Sequence, residues 1–426
     1  MFANLPQNNK KRIVIIGGGF GGLKLAEKLA FSPYQVVLID KHNYHQFQPL
    51  FYQVATAGLE PSAISFPVRK IFQKIPNLHF RMASVLEIDA ENNKIKTSIG
   101  DLDYHYLVVA IGTTTNFFGM KNIEEKAMPM KSTAEALLLR NHLLDNYEKA
   151  LNTTDIEERK KFMNIVVVGG GPTGVELCGT LAEMQKYIFP LDYPELNFME
   201  MKIYLLEGSG KLLSAMSAES SKKAKEYLEE LGVQVLLNTQ VIDYDGEQVS
   251  VKDGRVLPAR NLIWAAGVMP NKIKGIPETS IFRGRIKVDS FSCIEGMNNV
   301  FAIGDVSFMT EEAYPNGHPQ VAPVAIQNAE NLAKNIQRFD KGKAMQPFKY
   351  NDKGAMATIG RNKAVVDIKK LHFGGFMAWI VWMFVHLISI IGVKNKILVF
   401  INWAWNYITY DQSLRLIIKN EKNKPN

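Results

Sequence analysis

A chain of 426 residues, 46% hydrophobic and 22% charged, carries enough apolar side chain for two or three domain cores, which excludes a mainly disordered protein. Fifty Lys and Arg against 42 Asp and Glu give a net charge of +8, which suits an anionic surface but equally an ordinary basic protein. Two cysteines, Cys178 and Cys293, stand far apart in no CxxC pair, which argues against a disulfide framework or a cysteine zinc site and fits a reducing compartment.

The opening stretch MFANLPQNNKKR runs polar and basic into a strand with no apolar signal segment, so the N-terminal part is expected to stay in the cytoplasm. Arg12 to Ile16 reads as a buried parallel strand, Leu23 to Ala30 as the helix after it, and YQVVLID as the next strand, ending at Asp40. Between the first strand and the helix, Gly17, Gly19 and Gly22 fit GxGxxG. Glycine is needed there because side chains would block the tight turn, the approach of a pyrophosphate to backbone N–H groups, and close helix packing. Asp40 is placed to accept hydrogen bonds from a ribose.

DYHYLVVAIGT, residues 103 to 113, predicts a further strand closing on a glycine turn at Gly112. The charged TTDIEERKK, 153 to 161, is expected to be a solvated connection. NIVVVGGGPTGVE then repeats the opening design with Gly169, Gly171 and Gly174, followed by a helix over Val175 to Met184. KIYLLEG ends the next strand at Glu207, after an insertion, QKYIFPLDYPELNFMEM, that loosens the spacing. An acid at that strand end favours a free 2′-hydroxyl, hence NADH over NADPH. A helix over Ser220 to Leu231, a strand in NLIWAAG and a strand-to-turn element in NNVFAIGDV, 298 to 306, complete the alternation. Two nucleotide-binding domains follow from it.

The tail has a different composition. Phe376 to Val393 is apolar except for His386 and Ser389, and Trp379, Trp382, Trp403 and Trp405 are four of the five tryptophans. As one helix this segment would extend roughly 27 Å, just short of a bilayer core, so spanning is marginal. Beyond it Asn402, Asn406, Thr409 and Ser413 recur at helical spacing as a polar stripe on an apolar helix. From Lys394 onward six basic residues (Lys394, Lys396, Arg415, Lys419, Lys422, Lys424) face two acidic ones (Asp411, Glu421). Aromatic residues beside cations suit a headgroup region and favour an anchor lying in one leaflet, with the apolar segment dipping in or packed at a dimer interface.

These residues together carry a resemblance. The first glycine turn, DKHNYHQFQPLFYQVATAGLEPSAISFPVR (40 to 69), LVVAIGT, the second glycine turn with Glu176, WAAGV (264 to 268), VFAIGDV (300 to 306) and VAPVAIQNA (321 to 329) resemble the type II NADH:quinone oxidoreductases, flavin-dependent relatives of the pyridine nucleotide-disulphide oxidoreductases. The resemblance implies an α/β fold with two Rossmann-like dinucleotide-binding domains plus a C-terminal membrane-associating helical segment. The implied domains are an FAD-binding domain in two parts, 1 to 125 and 286 to 350, an NADH-binding domain over 126 to 285, and an anchoring or dimerisation region over 351 to 426.

The resemblance further implies that the first turn and Gly112 hold FAD, that Gly304 and Asp305 make its second contact at the ribityl chain, and that the second turn holds NADH as substrate. Glu176 matches the acid near the nicotinamide. One departure is local: where the family often carries AQxAxQ near flavin and quinone, this chain has Ala322, Pro323, Val324, Ala325, Ile326 and Gln327. Gln327 keeps its register, Pro323 replaces the first glutamine, and Gln320 is a candidate substitute. Gln327 alone also fits a glutamine that merely caps a helix.

The expected activity is NADH oxidation through FAD with two-electron reduction of a membrane quinone, at the cytoplasmic face of the inner (plasma) membrane. Hydride transfer needs juxtaposition of nicotinamide and flavin with water excluded, and no compulsory acid, base or nucleophile. No proton pumping is expected, since no bundle of polar spanning helices is evident. Expected partners are NADH, a membrane quinone, the bilayer surface and a second copy of the chain, with no nucleic acid and no metal. Cys178 and Cys293 read as small apolar residues rather than a redox relay, so electrons should leave the flavin directly. His42 and His45 read as loop residues near a cofactor, Lys363 as a turn lysine that could instead approach a quinone, and His386 equally as a packing histidine or a quinone contact. Two rivals share the fold: a reductase with another acceptor, and a membrane-tethered flavoprotein that senses NADH.

Overall fold

The structure is a computed structural model and describes residues 3–412 and 414–418. Ser413, Lys419, Glu421, Lys422 and Lys424, which contribute to the polar stripe and the basic tail, lie outside the described residues. Two compact units emerge, one of 1–46, 66–114 and 268–352, the other of 47–65, 115–267 and 353–426.

The first unit is built on a five-stranded sheet in the order Val300–Ala302, Tyr106–Val109, Arg12–Ile16, Gln35–Asp40, Leu78–Met82, with every neighbour parallel. Its inner strands Arg12–Ile16, Gln35–Asp40 and Tyr106–Val109 are runs of Val, Ile and Leu buried along nearly their whole length, because a parallel sheet is covered on both faces, while the edge strand Leu78–Met82 is buried only at alternate residues. The second unit repeats the plan: Met128–Pro129, Asn261–Trp264, Ile165–Val168, Ile203–Leu206 and Gln234–Leu236, again all parallel. In both sheets the strand that leads into the glycine turn is central, with the strand order reversing on its two sides. That arrangement puts a crevice outside the carboxyl ends of the strands, where ligands of such folds bind.

Both glycine helices, Phe20–Lys28 and Pro172–Tyr187, start earlier than their apolar pattern predicts, directly from extended Gly19 and Gly171. The helix expected over 220 to 231 runs Ala218–Glu230, capped by Ser217, whose hydroxyl accepts from Ser220 N. One expectation fails: 153 to 161 is not a plain solvated connection. Asp155 accepts from the N–H groups of Glu157 and Glu158 and starts the helix Ile156–Met163, with acids in its first turn and lysines in its last. The charges that made the segment look like linker are the ones that complement a helix dipole.

The tail is two helices, Phe376–Ser389 and Val393–Thr409, preceded by a three-stranded antiparallel sheet of Ala355–Thr358, Ala364–Ile368 and Leu371–Gly374. The apolar run 376 to 393 is therefore not one helix: Ile390 is extended and Gly392 has φ +80°. Among the described residues no helix is long and apolar enough to cross a membrane.

Of the polar stripe, Asn406 turns into its own unit, whereas Thr409 is exposed with its hydroxyl donating to Trp405 O of the same helix at 2.9 Å; Asn395 and Trp403, outside the stripe, turn inward beside Asn406. Asn406 donates to Gly58 O at 3.2 Å, Asn395 to Ser62 O at 2.9 Å, and the Trp403 indole to Gln53 Oε1 at 2.7 Å. Trp382 and Trp403 are buried, whereas Phe384, Ile388, Ile397, Phe400, Ile401, Trp405 and Ile408 are exposed. The arrangement inverts that of a soluble amphipathic helix, with polar groups inward and large apolar groups outward.

Candidate active site

In the first unit Gly17 has φ +105°, and a methyl there would lie 2.3 Å from Ala110 O; a methyl on Gly22 would lie 1.8 Å from Gly17 O. Gly22 is thus fixed by sterics of the turn itself, and Gly17 by its positive φ and by the neighbouring strand exit at Ala110. Gly19 differs: a methyl there meets no protein atom within 4 Å, and the same holds for Gly112, at φ +63°. Gly112 is favoured by that left-handed backbone, whereas Gly19, at φ −70°, is kept bare by no protein contact and fits a phosphate brought close to backbone. Asp40 braces the turn, with Oδ2 accepting from Gly18 N at 2.6 Å and Oδ1 from His42 N at 2.7 Å. His45 is buried with Nδ1 2.9 Å from Gly18 O, an oxygen that only accepts, so Nδ1 carries the proton. His45 thus joins the turn through its ring and His42 through its backbone N–H.

Residues 300–329 return to this unit and complete its site. Gly304 has φ +73°, and a methyl on it would press on the Ala325 methyl at 3.1 Å. Asp305 Oδ2 accepts from the Thr113 hydroxyl at 3.3 Å, one residue beyond Gly112. Gln320 donates to Asp305 O at 2.9 Å, so it braces the Gly304–Asp305 turn. Pro323 sits in the first turn of the helix Ala322–Asp340, where its missing N–H costs nothing. Gln327 has both ends of its amide engaged by one backbone position: Nε2 donates to Asn351 O and Oε1 accepts from Asn351 N, each at 3.0 Å. Its amide thus ties the helix to the chain leaving the unit.

The second unit repeats the first turn in detail. Gly169 has φ +112°, with a methyl 2.4 Å from Ala265 O; a methyl on Gly174 would lie 2.0 Å from Gly169 O; one on Gly171 would meet nothing within 4 Å. Glu207 Oε2 accepts from Gly170 N and Oε1 from Ser209 N, both at 2.7 Å.

Glu176, in the first turns of the second glycine helix, is 6% exposed. Its Oε1 accepts from the Trp382 indole at 3.1 Å and from Thr358 N at 3.4 Å. Burial pushes the carboxyl up to about 8, against the weaker opposite pull of those two hydrogen bonds. With both donors on Oε1, the proton of the neutral acid sits on Oε2. Tyr52 and Trp382 pack at 6.4 Å between ring centres, and the negative charge of an ionised Glu176 adds to burial in raising the Tyr52 hydroxyl. Trp382 as the partner of Glu176 escaped the sequence reading. The available signal was an indole N–H within an apolar helix, which must find an acceptor when buried.

His386 stacks on Trp382 at 4.1 Å between ring centres, and its Nδ1 donates to Trp382 O at 2.8 Å. Burial lowers it to about 4, so it is neutral at ordinary pH. Lys363 pairs with Glu230 and lies over the Tyr227 ring, which makes it a turn lysine with a partner of its own. Cys178 is wholly buried, and its thiol is raised by that burial. The Cys293 thiol donates to Met297 O at 2.9 Å. Both behave as packed side chains.

Residues 11–329 match the pyridine nucleotide-disulphide oxidoreductase family, and residues 353–409 match the NDH2 C-terminal domain. A type II NADH:quinone oxidoreductase of Mycobacterium tuberculosis is 34% identical over 416 residues, covering 94% of this chain and 89% of that protein. One from Staphylococcus aureus is 28% identical over 370 residues, covering 84% and 89%. The structure of NDH2 from Plasmodium falciparum in complex with NADH is similar in fold, with a TM-score of 0.88 at 23% identity, covering 96% of this chain and all of that one. The chain therefore belongs to the type II NADH:quinone oxidoreductases.

Proposed function

We infer that the chain oxidises NADH and reduces a quinone: NADH, a proton and a quinone give NAD⁺ and quinol, two electrons passing through a bound flavin without proton pumping. The observation that carries this reading is the twice-built dinucleotide turn, each with its own bracing acid, in a chain whose family is known by both its catalytic and its C-terminal regions. The flavin we assign is FAD, held by Gly17, Gly19, Gly22, Asp40 and Gly112, with Gly304 and Asp305 at its second contact. Bound there, it supplies a two-electron carrier that accepts hydride and gives electrons to a quinone.

The protein's share is to bind and orient. Gly169, Gly171 and Gly174 receive the NADH pyrophosphate, and Glu207 the adenosine ribose, where a 2′-phosphate would meet a carboxylate. Glu176 holds a proton on Oε2 at neutral pH and tunes the nicotinamide; a Glu176→Ala enzyme with unchanged NADH affinity and turnover would refute that role. Gln327 acts at the flavin–quinone junction by fixing the chain at Asn351.

The outward apolar residues of the tail helices suit insertion into one leaflet, which lets a hydrophobic quinone arrive from lipid at the cytoplasmic face while NADH arrives from water. A homodimer would use part of the same face, and sedimentation in detergent reads its mass directly. The function is tested by anaerobic NADH oxidation with quinone or a soluble acceptor, together with chromatographic identification of the flavin released on denaturation. Quinone-dependent turnover and released FAD are expected; turnover with soluble acceptors alone would favour the rival reductase.

A further inference from the structure

We propose that Phe118 is a positioning residue for the nicotinamide half of NADH, an inference that rests on reading the second turn as the NADH site. Strand order locates the two halves of the dinucleotide. Glu207 ends the strand on one side of Ile165–Val168, so the adenosine ribose lies on that side and the pyrophosphate at the glycine turn. The other half of the dinucleotide must then extend across the carboxyl end of Asn261–Trp264, on the opposite side.

That strand end is where Phe118 is anchored. Ala265 O lies against Gly169, so the residues leaving the strand form the back of the glycine turn. Two residues on, Gly267 O accepts from Asn116 N at 3.1 Å, and the Trp264 indole donates to Asn116 O at 2.8 Å. Asn116 Oδ1 in turn accepts from Phe118 N at 2.8 Å. Phe117 stacks on Trp264 at 6.0 Å, and Phe118 meets Trp264 edge-on at 6.5 Å. Three hydrogen bonds and a buried tryptophan thus fix a segment whose Phe117 and Met120 pack against the core of this unit, yet they leave the Phe118 ring 60% exposed, on a backbone at φ +53°.

A bulky residue adopts a left-handed backbone only under local constraint, and such constraint is a recurrent mark of ligand sites. A methyl on Gly267, at φ +140°, would meet no atom within 4 Å except the tip of that ring, 3.6 Å away, so the ring stands beside bare backbone. A flat apolar ring there offers a wall against which a nicotinamide can lie, held and shielded from water on one face. Strain alone would not single Phe118 out. Phe31 is still more exposed, at 73%, and left-handed at φ +58°, but it precedes the amino end of Gln35–Asp40 and supplies a control.

The test is anaerobic stopped-flow reduction of the flavin in the intact holoenzyme over a range of NADH concentrations. Phe118→Ala should raise the apparent NADH Kd about tenfold, equivalent to losing one aromatic contact, and lower the limiting reduction rate. Phe118→Tyr should restore both, and Phe31→Ala should alter neither. Phe118→Gly relieves the backbone, so it should keep the melting temperature and flavin content yet lose NADH affinity like Phe118→Ala. Unchanged NADH dependence in Phe118→Ala, or losses that track melting temperature across the variants, would overturn the proposal. A wild-type flavin that NADH fails to reduce would instead overturn the NADH reading on which it rests.

Discussion

The two glycine turns share a bracing scheme but differ in what surrounds them. In each, one carboxylate oxygen takes the N–H of the second glycine and the other takes the N–H two residues beyond the acid: Gly18 and His42 for Asp40, Gly170 and Ser209 for Glu207. Around the first turn, sequence from far along the chain closes in. Gly21 packs against Ile303 and Ala325 O, Gly304 against Ala325, and Gln320 and Thr113 bind the Asp305 turn. The second turn itself rests on Leu213 N at Gly170 O and on the Ala265–Gly267 strand exit, and remote chain meets its helix further along, at Gly179 against Gly360 and at Glu176 against Thr358 and Trp382. A resident cofactor can be wrapped by remote chain during folding, whereas a substrate that enters and leaves each cycle needs an edge kept open. We give the first turn to the flavin and the second to NADH on the family resemblance, which places the remote contacts at the turn for the flavin and along the helix, clear of the turn, for NADH.

The sharpest way to break the comparison is to put a methyl on matching glycines. Gly22→Ala drives a carbon to 1.8 Å from Gly17 O, and we expect loss of bound flavin and failure to accumulate folded protein. Gly174→Ala makes the matching 2.0 Å clash with Gly169 O, and should leave the flavin absorbance in place while NADH no longer bleaches it. If both variants lose flavin equally, the two turns do not divide cofactor from substrate.

A second large effect concerns the tail. Replacing Phe384, Ile401 and Ile408 together by Ser removes three outward apolar groups that touch no core, so folding and NADH oxidation by a soluble acceptor should persist. Binding to liposomes should fall by orders of magnitude, since each large apolar side chain contributes about 1.5–3 kcal/mol when taken out of water.

Glu176 gives a pH signature. Its folded value near 8 lies above its ordinary 4.5, so its contribution to stability is fully present below pH 4.5 and is lost as pH rises through about 8. Glu176→Gln keeps the acceptor for Trp382 without an ionisable proton. Denaturant melts should show a smaller loss of stability between pH 6 and 9 than the wild type, the difference reaching on the order of 1–3 kcal/mol. Identical pH slopes would mean that Glu176 is ionised throughout.

The smallest expected change is at Gln327. Gln327→Ala frees Asn351 and should raise the KM for quinone a few-fold while the rate of flavin reduction by NADH stays within about twofold. A larger effect on flavin reduction than on quinone would place it elsewhere in the mechanism.

Much of this was legible in the sequence, and for identifiable reasons. Buried parallel strands announce themselves as runs such as RIVII and IVVV, and the glycines at 22 and 174 are demanded by clashes inside their own turns and those at 17 and 169 by positive φ, so short-range pattern suffices. The misreadings fall where tertiary context decides. Asp155 turned a charged stretch into a capped helix, and Gly392 split an apolar run that composition alone would have kept whole. The Glu176–Trp382 hydrogen bond joins residues 206 positions apart, and no local pattern names its partner. The same holds for Gln327, whose amide partner Asn351 lies 24 residues on.

That one turn holds a flavin, reduced by NADH at the other turn and emptied by quinone, is tested most directly by two-step anaerobic stopped-flow absorbance on the purified protein. NADH should bleach the flavin band rapidly, and a menaquinone or ubiquinone analogue should restore it within one turnover time. A band bleached by NADH that quinone leaves reduced would contradict this, and would assign the electrons to another acceptor.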